Sequence, residues 1–174
     1  MRLIVDIETN GLLHQLDRIH CVVLRDLDAK QSLVFNDQGG SDPPISQAIT
    51  MMEDADRLIG HNLIGFDVPA IRMIYPWFTP KEDSMMDTMV LSQLKYPDMM
   101  RVDAIRKIPD MPKFLWSRHS LESWGYRLRV AKGSFGKTTD WATWSQEMQD
   151  YCAQDTLVTH HLWQHFLKAY PGLS

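Results

Sequence analysis

The sequence predicts an α/β fold on a mixed β-sheet, and three observations carry that reading. Apolar runs of strand type fill the first 36 residues, a segment of helical period followed by a short apolar run comes next, and the chain closes on a long amphipathic stretch. Strands joined by short turns pair antiparallel, whereas a strand regained after a helix pairs parallel, so the order implies both kinds of pairing.

The elements follow in chain order. "RLIVDIE" (2–8) reads as a buried strand, "RIHCVVLRDL" (18–27) as a second and "QSLVFN" (31–36) as a third, with Asp28, Ala29 and Lys30 in the hairpin turn between the last two. After Pro43 and Pro44, "ISQAITMMEDA" repeats apolar residues at helical spacing, and "RLIGHN" (57–62) is a short strand ended by His61 and Asn62. "VPAIRMIY" (68–75) is a helix with Pro69 in its first turn, where a missing N–H costs nothing, so Asp67 stands at or next to the helix start. "DTMVLSQLKY" (87–96) and "SLESWGYRL" (120–128) are further helices, with Ser120 and Ser123 both available as N-cap of the second. The basic, proline-containing segment between them resists assignment. A final helix runs from about Ser145 to Lys168, its apolar positions including Met148, Cys152, Val158, Leu162 and Phe166.

Length and composition set bounds. The 174 residues, 44% hydrophobic and 23% charged, suit one domain, 1–174, with an ordinary core. No apolar run approaches the length of a secretion signal or a membrane span, so a cytoplasmic protein without a membrane partner is expected. Cys21 and Cys152 lack CxxC spacing and read as two reduced, partly buried thiols. The net charge of −4 argues against passive nucleic-acid binding by phosphate neutralisation alone. Its distribution is uneven: residues 1–94 hold 7 Lys and Arg against 14 Asp and Glu, while residues 95–140 hold 10 against 5. An acidic body with one basic segment is compatible with a metal site beside a groove for a polyanion, and equally with a solvated loop of mixed charge.

Two carboxylates interrupt the first strand. Alternate side chains on a strand share a face, so Asp6 and Glu8 point the same way, opposite to Val5 and Ile7. At about 4 Å and an effective dielectric near 20, the two charges would repel by roughly 4 kcal/mol, and a hard divalent cation with oxygen ligands removes that penalty. A protonated acid, or a strand that ends in solvent at Glu8, would remove it too. Tyr151 and Asp155, spaced i and i+4, lie on one face of the last helix, and Asp67 follows a buried strand. Taken singly, Asp155 suits a surface position and Asp67 a helix cap; three separate segments offering inward acids is the specific signal.

"DIETNGL", "HNLIGFD" and "YCAQD" resemble the three motifs of the DnaQ-like 3′–5′ exonuclease superfamily, Asp-x-Glu, Asn-x(3–4)-(Phe/Tyr)-Asp and Tyr-x3-Asp. The tyrosine marks the DEDDy subclass, because the histidine subclass would need His where this chain has Asp150. "HNLIGFDVPAI", "DTMVLSQL", "HSLESWGYRL" and "EMQDYCAQDTLVT" resemble the proofreading exonuclease domain of T7-type podovirus DNA polymerases, a likeness covering nearly the whole chain.

That resemblance implies an RNase H-like fold, a mixed five-stranded sheet flanked by helices, and a metal-dependent 3′–5′ exonuclease acting on single-stranded or frayed 3′ ends of DNA. It implies two divalent metal ions, Mg²⁺ with Mn²⁺ as a substitute, held by Asp6, Glu8, Asp67 and Asp155, with Tyr151 orienting the attacking water. Thr9, Leu12 and Asn62 fall where the family contacts the terminal nucleotide, although turn hydrogen bonds and core packing also suit them. A separately encoded DNA polymerase is one partner it allows. The basic segment is the expected strand-tracking surface, with Phe114, Trp116 and Phe135 available to stack on bases. Two alternatives stay open: an exoribonuclease of the same superfamily, and a non-catalytic interaction module of a replication complex.

Overall fold

The computed structural model describes residues 1–130 and 140–173. Five strands, β1 (Arg2–Thr9), β2 (Ile19–Asp26), β3 (Gln31–Asn36), β4 (Arg57–Gly60) and β5 (Met85–Asp87), form one sheet in the order β3-β2-β1-β4-β5. β2 pairs antiparallel with both of its neighbours, β1 and β3, and β4 and β5 continue the sheet parallel to β1. The mixed sheet expected from the strand and crossover pattern is therefore present.

Helices cover both faces. The β1 side chains Leu3, Val5 and Ile7 join one core cluster with Ile45, Ala48, Ile49 and Met52 of α1 (Ile45–Asp54) and with Val68 and Ile71 of α2 (Val68–Ile74). Ile4 points the other way, onto Ile59 of β4 and Trp163 of α6 (Gln146–Ala169). On this second face α6 also packs against α5 (Leu121–Leu128), where Val158, Leu162 and Phe166 enclose Trp124. Each such aliphatic side chain removed from water contributes about 1.5–3 kcal/mol, so the long apolar stripe of α6 binds it firmly to the sheet.

Local chemistry sets the helix ends. Ser145 accepts the Met148 N–H and starts α6, and Ser120 rather than Ser123 caps α5, because the Ser123 hydroxyl donates instead to the Leu115 carbonyl. Two elements escaped the sequence pattern. β5 has only three residues, too few to show alternation. α4 (Met99–Arg106) lies in the segment that resisted assignment, and the reason is chemical: of its eight residues only Met99 and Asp103 are buried, and Asp103 is an acid held by Arg127 of α5 through two hydrogen bonds of 2.9 and 2.8 Å. A helix anchored by a buried ion pair shows no apolar stripe.

Candidate active site

The end of β1 carries the acids. Asp6 and Glu8 leave the strand on the face that α6 covers, with Ile4 beneath them. The parallel ladder with β4 is registered only from Arg2 to Ile4, so β1 runs on past its neighbour and leaves that edge open beside Asp6, Ile7 and Glu8. Asp67 fills it, its carboxylate accepting the Ile7 main-chain N–H.

A tight turn delivers Asp67. The chain leaves β4 through Asn62, whose φ of 66° is left-handed, and then winds as a π-helical turn over Leu63–Asp67 that runs directly into α2. A left-handed asparagine is costly unless its neighbours hold it. Here the buried Asp87, at the end of β5, accepts the Asn62 and Ile64 main-chain N–H groups, each at 3.0 Å, and also caps α3 (Thr88–Lys95) through the Met89 N–H. Gly65 lets the Asn62 side chain fold over it, since a Cβ there would lie 2.4 Å from the Asn62 side-chain oxygen and push that amide aside. Asp67 was expected at a helix start; it stands at the junction of the two helical turns, and its side chain makes no capping hydrogen bond.

α6 brings the rest. Asp155 is buried and Tyr151, one turn before it, is partly exposed. Cys152 between them donates its thiol to the Asp6 main-chain carbonyl at 3.3 Å, which pins the helix to the strand at the level of the acids. Burial, then the charges of Asp155, Glu8 and Asp67, hold the Asp6 carboxyl well above its ordinary range, and burial does the same for Asp67. The four acids therefore form one electrostatic unit around Asp6, which keeps some solvent exposure while Glu8, Asp67 and Asp155 are buried.

Such a set fits a hard divalent cation. Its donors are carboxylate oxygens on rigid elements, and a bound cation would relieve the mutual repulsion that lifts the Asp6 carboxyl. Oxygens of Asp6 and Glu8 and the sulfur of Cys152 lie within 4.8 Å of one another. A surface depression at the opposite end of β1, lined by Met1, Arg2, Asp28 and Asp56, is instead occupied by its own ion pairs, Arg2 with Asp28 and the N-terminus with Asp56.

The residues expected to meet a substrate stand in different states. Leu12, in the loop after β1, is 61% exposed and is no core leucine. Thr9 is buried, its hydroxyl donating to the Gly11 carbonyl at 2.8 Å, which is the turn bond. Asn62 is the left-handed residue of the turn. Phe114 is exposed, Trp116 partly so, and Phe135 lies outside the described residues. Sequence reasoning missed Asp87 and the closeness of Cys152; Asp87 before a helix signalled only a cap, and nothing local showed that it also grips the turn of another segment.

No family model matches the chain. It is 26% identical over 189 residues to the DNA-directed DNA polymerase of Escherichia phage T7 and 26% identical over 187 residues to that of Enterobacteria phage T3. Each match covers 95% of this chain and 26% of the relative, so the chain spans about a quarter of the length of the curated relatives it matches. Among solved structures, one described as the apo form of a nuclease superposes with a TM-score of 0.65 at 22% identity, covering 96% of this chain and 72% of the other. The EXO domain of Aedes aegypti Nibbler superposes with a TM-score of 0.65 at 10% identity, covering 99% and 80%. The fold is the RNase H-like α/β fold that these exonuclease domains share, and the likeness to T7-type DNA polymerases drawn from the motifs recurs in the whole-chain comparison.

Proposed function

We propose that residues 1–174 form one 3′–5′ exodeoxyribonuclease domain that removes nucleoside monophosphates from single-stranded or frayed 3′ ends of DNA. The observation that carries this is the convergence of Asp6, Glu8, Asp67 and Asp155 from three chain segments on one partly open point at the end of β1. Similarity to phage DNA polymerases along nearly the whole chain favours DNA as the substrate and a polymerase as a working partner, within a bacterial or phage-infected cytoplasm.

Asp6, Glu8 and Asp155 would hold one divalent cation, with Asp6 shared toward a second that Asp67 supports. When bound, two such ions, Mg²⁺ or Mn²⁺, supply the Lewis acidity that activates water and stabilises the 3′ leaving oxygen of an in-line displacement. Tyr151 orients the attacking water by hydrogen bonding, the role a phenol hydroxyl suits better than that of a base at neutral pH. Leu12 meets the terminal base, and Thr9 and Asn62 position the terminal nucleotide. α6 and β1 keep Tyr151 and the acids in fixed relation, and pre-organisation of this kind is worth orders of magnitude in rate.

Digestion of a 5′-labelled single-stranded DNA with Mg²⁺, Mn²⁺ or EDTA, resolved on a denaturing gel, tests the reading. A metal-dependent ladder shortening from the 3′ end, absent with Asp6→Ala, is the expected result. Intact DNA beside a degraded RNA of the same sequence would instead assign an exoribonuclease, and full activity in Asp6→Ala would sink the mechanism.

A further inference from the structure

Cys21 and Cys152 take no part in the proposed reaction, yet they stand inside its acidic cluster. The β1–β2 register places Cys21 directly across from Glu8, so its side chain leaves the sheet on the same face as both carboxylates. Cys152 descends from α6 onto that spot. Its thiol is in hydrogen-bonding contact with that of Cys21, and its sulfur shares with Asp6 and Glu8 the group of donor atoms within 4.8 Å. Both cysteines are fully buried and neither is in a disulfide. Two oxygen donors and one sulfur donor thus meet at one place, presented by β1 and α6, with the Cys21 thiol of β2 against the Cys152 sulfur.

The composition of that set selects a different class of metal from the hard cation of catalysis. Mg²⁺ takes oxygen ligands and passes over thiols, whereas Zn²⁺ and Cd²⁺ bind thiolate strongly in tetrahedral sites of mixed donors. With zinc–sulfur and zinc–oxygen bonds near 2.3 and 2.0 Å, tetrahedral donors stand about 3.5 Å apart. Donors already within 4.8 Å of one another stand near that spacing.

We infer that Asp6, Glu8 and Cys152, backed by Cys21, form a site for a thiophilic divalent cation, which displaces the hard cation and stops cleavage. Ligation forms a sulfur–metal bond and releases the thiol proton to solvent, with no change of oxidation state. The metal site rests on the donor geometry alone; only its inhibitory consequence rests on the exonuclease reading. If the thiols served merely to fill the seam they share with Val23, Val34 and Trp144, a thiophilic metal would find no sulfur ligand there.

Titration of the metal-free wild-type chain with Cd²⁺, followed by the ultraviolet sulfur-to-cadmium charge-transfer band, tests this, with Cys152→Ser beside it and Zn²⁺ and Mg²⁺ affinities measured by calorimetry. The band should saturate at one equivalent and disappear in Cys152→Ser, whose Zn²⁺ affinity falls roughly tenfold or more while its Mg²⁺ affinity holds. No band in the folded wild type, or an undiminished band in Cys152→Ser, overturns the inference. Serine retains a donor for the Asp6 carbonyl, and the wild-type band decides the matter even if the variant does not fold. A cadmium band in a chain that never cleaves DNA strikes the exonuclease reading and leaves the site standing; Mg²⁺-dependent cleavage without a band does the reverse.

Discussion

Asp6 concentrates the electrostatic cost of the cluster in one carboxyl. Burial, Asp155, Glu8 and Asp67 together raise its pKa in the folded chain well above the ordinary value of 3.8. A folded-state pKa raised above the unfolded one contributes stability that is fully present below the unfolded value and is lost as pH rises through the folded one. The metal-free chain should therefore melt at a higher temperature in mild acid than at pH 8, as far as this group decides, and excess Mg²⁺ should narrow the difference. Asp6→Asn removes one of the repelling charges. In EDTA at pH 8 it is expected to melt above wild type, by roughly 2–4 °C for each kcal/mol of repulsion relieved, and to gain little from Mg²⁺. A calorimetric scan of both proteins with and without Mg²⁺ checks this, and a variant that melts lower in EDTA would count against electrostatic strain at Asp6.

At the scale of elements, the turn from β4 to α2 decides where Asp67 stands, and Asp87 decides the turn. Its carboxylate meets three main-chain N–H groups, so an amide in its place puts a donor against at least one of them. Asp87→Asn should cost about 1–3 kcal/mol of stability. It should also slow cleavage by roughly tenfold or more with little change in KM, because the residue acts through the position of Asp67 and not on the DNA. Gly65→Ala works on the same turn from the other side. The new methyl group displaces the Asn62 side chain, which is expected to raise KM for the oligonucleotide more than it lowers kcat. Steady-state kinetics on the two variants separates these patterns, and identical patterns would show that the turn has one role.

Across the whole molecule, the basic segment is tied to the body through Asp103 of α4 and Arg127 of α5, a fully buried pair that also receives the Ser117 N–H. Burial raises the Asp103 pKa, but the hydrogen bonds from Arg127 and Ser117 outweigh it and leave the carboxyl below its ordinary 3.8. A depressed folded-state pKa contributes stability above the unfolded value and loses it as pH falls through the folded one, opposite in sign to Asp6. Asp103→Ala strands the Arg127 charge and should cost about 3–5 kcal/mol in chemical denaturation at neutral pH, a loss that shrinks in acid. Around this anchor Arg101, Arg106, Lys107, Lys113 and Arg118 are exposed. If they track the strand, each one neutralised that had met a phosphate should reduce the salt slope of single-strand binding by about 0.7. An unchanged slope after neutralising all five would place the groove elsewhere.

Period and spacing sufficed for much of this. Alternation on β1 put Asp6 and Glu8 on one face, the interval of four joined Tyr151 to Asp155, and the helix after Pro43 and Pro44 required the parallel β4; each is a local regularity that backbone geometry imposes on any sequence. What local pattern could not express was decided by contacts between distant segments. α4 was hidden because its anchor is an ion pair and not an apolar stripe, and Asp87 because a residue 20 or more positions away from the turn supplies its acceptor. The pairing of Cys21 with Cys152 depends on the β1–β2 register and on where α6 lands, neither of which is a property of either cysteine's own neighbourhood. Asp6 alone reads as an acid on a strand; bringing the end of β1, the turn before α2 and α6 together is what surrounds it with three others, because charges couple through space and not along the chain.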